Sequence, residues 1–294
     1  MDRKTFLKTL AALPMSTAAL KLNALDQMTQ PLASTPKMPV LFLGHGSPMN
    51  AIEENEFVTG FRKVAQTIPK PQAILCISAH WETKGTWVTA MQHPPTIHDF
   101  GGFPQALFDV QYPAPGSPEL ARLTQSLLTQ TAVGFDEKWG LDHGAWSVIK
   151  HLYPKADIPV VQLSLDYGQN PQYHYDLARQ LEGLRHKGIL IIGSGNVVHN
   201  LGMVAWNKLH DTYGYDWALE AQDHMRHFIL NHDHKSLIQY RQQGKPFELA
   251  IPSPEHYLPL LYTLALQGKN EPIQLFNDQA VAGSLSMMSV RIGG

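Results

Sequence analysis

Three histidines in this chain each follow closely on an apolar run rich in branched residues. His45 comes after VLFLG, His80 after AILCISA, and His199 after ILIIGSGNVV. A fourth, His256, lies in SPEHYLPLLYTLAL, where Ser253-Pro254-Glu255 reads as the start of a helix. In open α/β sheets, ligands sit in the crevice beyond the carboxyl ends of the strands. Imidazoles converging there, with no thiolate nearby, suit a divalent zinc or iron ion. One strand-end histidine is more often a hydrogen-bonded structural residue, but three in the same topological position point to a metal site. Gly44 and Gly46 flank His45 and let the chain turn tightly and approach an ion or substrate with its backbone.

Two further polar clusters carry candidate chemistry. PPTIHDFGGFP (94–104) holds His98, Asp99, Phe100 and Phe103 between prolines and glycines. It reads as a loop whose aromatic side chains wall a pocket for a flat ligand, or as a Pro-braced surface loop with a local His–Asp contact. GLDHGAWSVIKHLYP (140–154) sets Asp142 and His143 just ahead of a helix with Trp146, Ile149 and Leu152 on its inner face. Asp142 serves either as the cap of that helix or in the site. His143, beside Gly144, is placed for function; His151, inside the helix, reads as exposed. His224, His227, His232 and His234 fall on or just past a polar helix and read as solvated surface.

The elements that must position these groups are short. Apolar runs at 38–44, 73–78, 158–165 and 189–194 are nearly continuous, as in strands covered on both faces of a parallel sheet. Segments 86–92 and 284–292 alternate better and read as more peripheral strands. Helical patterns occupy 117–130, capped by Ser117 with Pro118 behind it, then 171–188, stopping at Gly188, and 215–230. The expected fold is α/β: a single domain with a mostly parallel central sheet flanked by helices, and a metal site at the carboxyl ends of the strands.

Composition sets the outer bounds. The 294 residues carry a net charge of −2, which argues against a nucleic-acid partner. The single cysteine, Cys76, excludes an intrachain disulfide and a thiolate zinc site, and its apolar run marks it as buried and inert. Residues 1–37 read as a leader and linker, with 38–294 as the catalytic domain. MDRKTFLKTLAALPMSTAAL has the outline of a weak secretory or twin-arginine-type signal, with Arg3-Lys4 where two arginines are usual, or of an amphipathic leader on a cytosolic protein. The location is accordingly cytoplasmic, or periplasmic if the leader exports the chain. Its apolar stretch is too short to span a bilayer.

Together GHGSPMNAI, SAHWET, HDFGGFP, DHGAW, GSGNVVHNL and PEHYLPLLY resemble, in this order, the DODA-type extradiol aromatic ring-opening dioxygenases. That family belongs to the superfamily of the protocatechuate 4,5-dioxygenase catalytic subunit, and the resemblance runs from about Met38 to Gly294. It implies a non-haem metal, Fe(II) for activity, with Zn(II) able to occupy the same site. It places His45, His80 and His256 at metal-ligand positions, and His199 as a further ligand or as the active-site base. The wider superfamily uses two histidines and a glutamate, so Glu255 competes with His256 for the third place. The implied partners are a DOPA-like catechol and O₂, with the protein a monomer or homodimer. Extradiol cleavage needs a base for a phenolic proton, and His199 or His143 fits that role. His98, Phe100 and Phe103 would line the ring pocket. The rival functions are a zinc-dependent hydrolase with Glu255 as base and a non-catalytic metal-binding protein. The chain has no H-E-x-x-H or G-x-S-x-G element, and Pro48 after Ser47 offers no backbone N–H for an oxyanion hole.

Overall fold

The computed structural model of the protein describes residues 35–209 and 211–294. Six strands form the central sheet: β1 (Val40–Gly44), β2 (Ala73–Ser78), β3 (Val160–Gln162), β4 (Ile189–Gly195), β5 (Ile273–Phe276) and β6 (Ser289–Ile292). Their order is β3-β2-β4-β1-β6-β5. The first four run parallel, while β6 pairs antiparallel with both β1 and β5. Every residue of β1, β2, β3 and β4 is buried, which is why their sequences are continuous rather than alternating.

Among the described residues, seven α-helices of six residues or more accompany the sheet: α1 (Glu56–Gln66), α2 (Pro118–Leu127), α3 (His143–Leu152), α4 (Pro171–Arg179), α5 (Asp216–Leu230), α6 (Lys245–Ala250) and α7 (Leu258–Ala265). Ser117 caps α2 by accepting the Leu120 N–H, and Asp142 caps α3 by accepting that of Ala145. One sheet face sends Leu41, Leu43, Ile74, Cys76, Leu190 and Ile192 against Phe61 of α1 and Trp146 of α3. Full burial of each such aliphatic side chain contributes ~1.5–3 kcal/mol. The other face carries α7, pressed so closely on β4 that a Cβ at Gly193 would lie 2.4 Å from the Pro259 carbonyl oxygen. His174 of α4 and Tyr262 of α7 meet at 3.1 Å, tying the two helices of that layer together.

Several details depart from the sequence reading. The strand expected over 284–292 is not peripheral, since its second half is β6, paired with β1 inside the main sheet. Thr86–Thr89, inside the segment read as a peripheral strand, does lie outside the main sheet, paired with Val133–Asp136 in a separate two-stranded ribbon. The 171–188 pattern breaks into α4 and a 3-10 turn (Glu182–Lys187), although Gly188 does end it with φ 69°. His151 is buried rather than exposed, with Nε2 2.7 Å from the Asn50 carbonyl oxygen, because α3 is covered nearly all round. His234 is half-buried and meets the Tyr175 hydroxyl at 2.9 Å, whereas His224, His227 and His232 are exposed as read. Cys76 is buried, and that burial pushes its thiol pKa well up. No described helix is long and apolar enough to cross a membrane. Residues 1–34, most of the expected leader, lie outside the described residues.

Candidate metal centre

Register fixes the site. β2, β4 and β1 are adjacent, with Ser78 beside Ser194 and Gly195 beside Gly44, so their carboxyl ends are level. The residues that follow must therefore emerge side by side. His45 continues the ladder through its N–H to the Gly195 carbonyl, 3.1 Å away. Its two glycines have separate reasons. A Cβ at Gly44 would come within 2.6 Å of the Met287 carbonyl oxygen, and Gly46 turns the chain at φ +62°. Gly195 has no Cβ for a similar cause, because the His256 carbonyl would lie 2.1 Å from it. That close approach brings the 253–257 turn, which precedes α7, over the sheet edge.

Five imidazoles meet there. The ring centroids of His45 lie 5.0 Å from His80, 5.7 Å from His143 and 5.3 Å from His256. His80 stands 3.9 Å from His143, and His199 stacks on His256 at 3.5 Å with 9° between the planes. His45, His80 and His256 each offer a nitrogen within 4.8 Å of the other two, a trio that could hold a metal ion. Two more such groups share members with it: His80, Asp99 and His143, and His199, Glu255 and His256.

Two outward nitrogens of the trio are hydrogen-bonded, and a carboxylate stands near the third. His45 Nδ1 is 3.0 Å from Ser194 Oγ, and that hydroxyl donates its own proton to the Gly144 carbonyl at 2.5 Å. A hydroxyl with its proton spent accepts, so this network assigns the His45 proton to Nδ1 and leaves Nε2 bare. His256 Nδ1 is 3.0 Å from Glu255 Oε1, which also accepts from the Ser253 hydroxyl. His80 Nδ1 is 3.4 Å from Asp99 Oδ2, and its Nε2 faces His45 Nε2 at 3.2 Å. Oxygen acceptors behind metal-facing imidazoles are the usual way of fixing tautomer and ring orientation.

Burial keeps these rings neutral. His80 is held down to about 3 and His199 to about 4, by desolvation first. His45 and His256 are held well below the ordinary value by burial and then by neighbouring imidazoles. Burial works to raise Asp99, but hydrogen bonding to His143 and the charges of both nearby histidines hold its carboxyl below the usual range. Asp142, fully buried behind the site, is pushed up by burial and then by Asp99; it accepts from Ser78 Oγ at 2.6 Å.

The loop 94–104 forms one wall. Phe100 stands edge-on to His143 at 5.5 Å, with Phe103 and Phe108 behind it at 5.5 and 5.0 Å. His98 donates from Nε2 to the Val110 carbonyl at 3.0 Å and packs edge-on to Phe100 and Trp146, so it braces the wall. Every sequence candidate thus arrives at one cleft: His45, His80, His143, His199, Glu255 and His256 in contact, Phe100 beside them, and His98 and Phe103 one layer out. Glu255 backs His256 while sharing a second group with His199. Two contributors, Ser194 and Ser78, escaped the sequence reading of the site, and Asp99 was read in its polar cluster without a place among the imidazoles. Asp99 lies between His80 and His143, Ser194 behind His45, and Ser78 between His80 and Asp142. Asp99 left a trace in its HDF setting; the serines, inside apolar runs, left none.

This chain resembles known proteins over most of its length. Residues 34–283 match the family described as the catalytic LigB subunit of aromatic ring-opening dioxygenase. A 4,5-DOPA dioxygenase extradiol of Escherichia coli K12 is 48% identical over 266 residues, spanning 89% of this chain and 97% of the relative. The protein of the same name from Beta vulgaris is 36% identical, spanning 85% of this chain and 94% of its own. A crystal structure of an uncharacterized Escherichia coli K12 protein superposes with TM-score 0.76 at 42% identity, covering 87% of this chain and all of that one.

Proposed function

This chain belongs to the family of the catalytic LigB subunit of aromatic ring-opening dioxygenases, and we propose that it opens a DOPA-like catechol at the five-histidine cleft. Extradiol ring cleavage is the activity; the substrate, the metal and the residue roles are our reading. The observation that carries that reading is the trio His45, His80 and His256, with an oxygen hydrogen-bonded at Nδ1 of His45 and of His256 and a carboxylate oxygen 3.4 Å from Nδ1 of His80. Neutral imidazole donors with no thiolate fit a borderline divalent ion such as Fe(II), with Zn(II) accepted by the same donors. When bound, a redox-active Fe(II) would supply the electron transfer to O₂ that zinc cannot. In this reading Glu255 orients His256 and is not itself a ligand.

The chain's own residues do the rest. Phe100 and its aromatic neighbours offer the catechol ring an apolar face and exclude water from that side. His143 and His199 flank the trio without belonging to it, one on the side of Phe100 and the other on that of His256. Either can take a phenolic proton at a ring nitrogen and return it later. His143 is the better placed for the bound ring, because it alone of the two touches the aromatic wall.

The experiment is an oxygen-uptake and absorbance assay on the full chain. Apoprotein is loaded anaerobically with Fe(II) or Zn(II) and mixed with DOPA, dopamine and plain catechol in air. The expected result is O₂ consumption and a yellow ring-opened product with Fe(II) only, DOPA ranking highest. Tight metal binding with no O₂ uptake for any catechol would overturn the proposal.

A further inference from the structure

One carboxylate touches both halves of the cleft. Asp99 Oδ2 lies 3.4 Å from Nδ1 of His80, a member of the trio, and Oδ1 lies 3.0 Å from Nδ1 of His143, a proton-carrying candidate. The same Oδ1 accepts the backbone N–H of His143 at 2.8 Å, which pins the 94–104 loop to the first turn of α3. A helix amino end favours an anion at that spot. The Asp99 side chain is only 17% exposed, so little water competes for it. The His143 ring is 6% exposed, and its Nδ1, though close to Oδ1, has no aligned hydrogen bond. That buried polar atom has the carboxylate as its nearest acceptor and Phe100 at its edge.

We propose that Asp99 is a positioning residue with two simultaneous roles, fixing the tautomer of His80 and holding the ring of His143 in place beside Phe100. The first role stands on proximity: Oδ2, 3.4 Å from His80 Nδ1, is the oxygen to which a proton on that nitrogen turns, which leaves Nε2 to face His45. The second rests on the proposed function: Oδ1 holds the first turn of α3 through the His143 N–H and lies 3.0 Å from His143 Nδ1, so it sets which way the other nitrogen of that ring faces. The competing view is that Asp99 merely braces its loop against α3.

The test uses Asp99→Asn, alone and in a His143→Ala background. An asparagine keeps one acceptor oxygen but presents NH₂ where the second was, so it cannot serve two imidazole N–H groups. Zinc affinity of the full chain, read by competition with a chromophoric chelator, should fall ~10–100-fold in both backgrounds. With metal saturating, kcat should fall ~10²-fold in the wild-type background while KM for the catechol barely moves. In the His143→Ala background the same change should leave kcat where His143→Ala put it. An equal kcat loss in both backgrounds, or unchanged zinc affinity, would reduce Asp99 to a brace. Should the variant fail to fold, ¹⁵N–¹H spectra of the metal-free wild-type imidazoles decide the tautomer role. His80 as the Nδ1–H tautomer supports it, and Nε2–H overturns it. A wild-type protein that opens no catechol would remove the His143 role together with the proposed function, while zinc affinity and the spectra still judge the tautomer role.

Discussion

Ser194 carries no metal-facing atom, yet its hydroxyl should matter twice. It is fully buried, donates to the Gly144 carbonyl at 2.5 Å and accepts from His45 Nδ1 at 3.0 Å. Ser194→Ala strands two buried polar groups at once. Each costs ~1–3 kcal/mol when left without a partner, so the metal-free protein should lose ~2–6 kcal/mol. For a domain of this size each kcal/mol lowers Tm by ~2–4 °C, which predicts a drop of ~4–24 °C. The second loss is specific to the site. Without an acceptor behind it, the His45 ring is free to carry its proton on Nε2 and to rotate, and zinc affinity should weaken ~10–100-fold. That factor corresponds to ~1.4–2.7 kcal/mol. Thermal unfolding of the metal-free variant and chelator competition for zinc read the two losses separately. A lowered Tm with unchanged zinc affinity would refute the tautomer argument. An unchanged Tm would refute the hydrogen-bond network from which it was drawn.

Single substitutions should divide the five histidines. His45→Ala, His80→Ala and His256→Ala should abolish tight zinc binding, whereas His143→Ala and His199→Ala should retain zinc and lower kcat by ~10²–10⁴-fold; metal content beside turnover checks this. Gly144→Ala should harm the protein although alanine is the better helix former by ~1 kcal/mol. Its Cβ would lie 2.5 Å from Ser78 Oγ and 2.7 Å from His80 Cδ2, so zinc affinity should fall. Stability of the metal-free protein should also depend on pH with a definite sign. Folded His80 and His199 titrate at about 3 and about 4. The unfolded chain takes up those protons near ~6.5, so below that pH it binds more protons than the native state. Stability should be flat above neutrality and fall through the window from about 6.5 towards 4, by up to ~1.4 kcal/mol per pH unit per histidine. Urea midpoints at pH 8, 6 and 5 measure it, and a midpoint unchanged down to pH 5 would contradict the assignment.

Much of the cleft was legible because parallel strands leave a strong mark. Their continuous apolar runs end where the sheet ends, so the sequence alone places His45 and His80 at its rim. His256 and Glu255 were found by their helix-start setting, although α7 begins only at Leu258, after a turn. What the pattern could not carry was sidedness and depth. β6 looked peripheral because it alternates, yet alternation also suits an antiparallel strand inside a mixed sheet. His151 looked exposed because a polar residue in a helix usually is; α3 is instead buried on almost every side, and the Asn50 carbonyl receives its proton. Ser194 and Ser78 were invisible for a related reason. A small hydroxyl inside a buried strand does not disturb an apolar run, and only the neighbouring strand's register reveals whom it serves.

The electrostatics of the cleft explain why so many histidines can be buried together. Five imidazoles within a few ångströms would repel one another if charged, and burial holds His45, His80, His199 and His256 well on the neutral side of physiological pH. Neutral rings keep their lone pairs, so the cluster is an electron-rich pocket with Asp99 and Glu255 immediately behind it. A divalent cation held by His45, His80 and His256 would be matched in charge by those two carboxylates, one behind His80 and one behind His256. The ligands can then remain neutral while the ion is still compensated. A carboxylate placed directly on the metal would achieve the same balance with fewer parts, as in the two-histidine, one-carboxylate arrangement. Moving both carboxylates one atom layer back does something different: each also sets the tautomer of the ring in front of it. Charge balance and ligand orientation are therefore the same interaction here. Removing either carboxylate should cost affinity for the ion before it costs the fold.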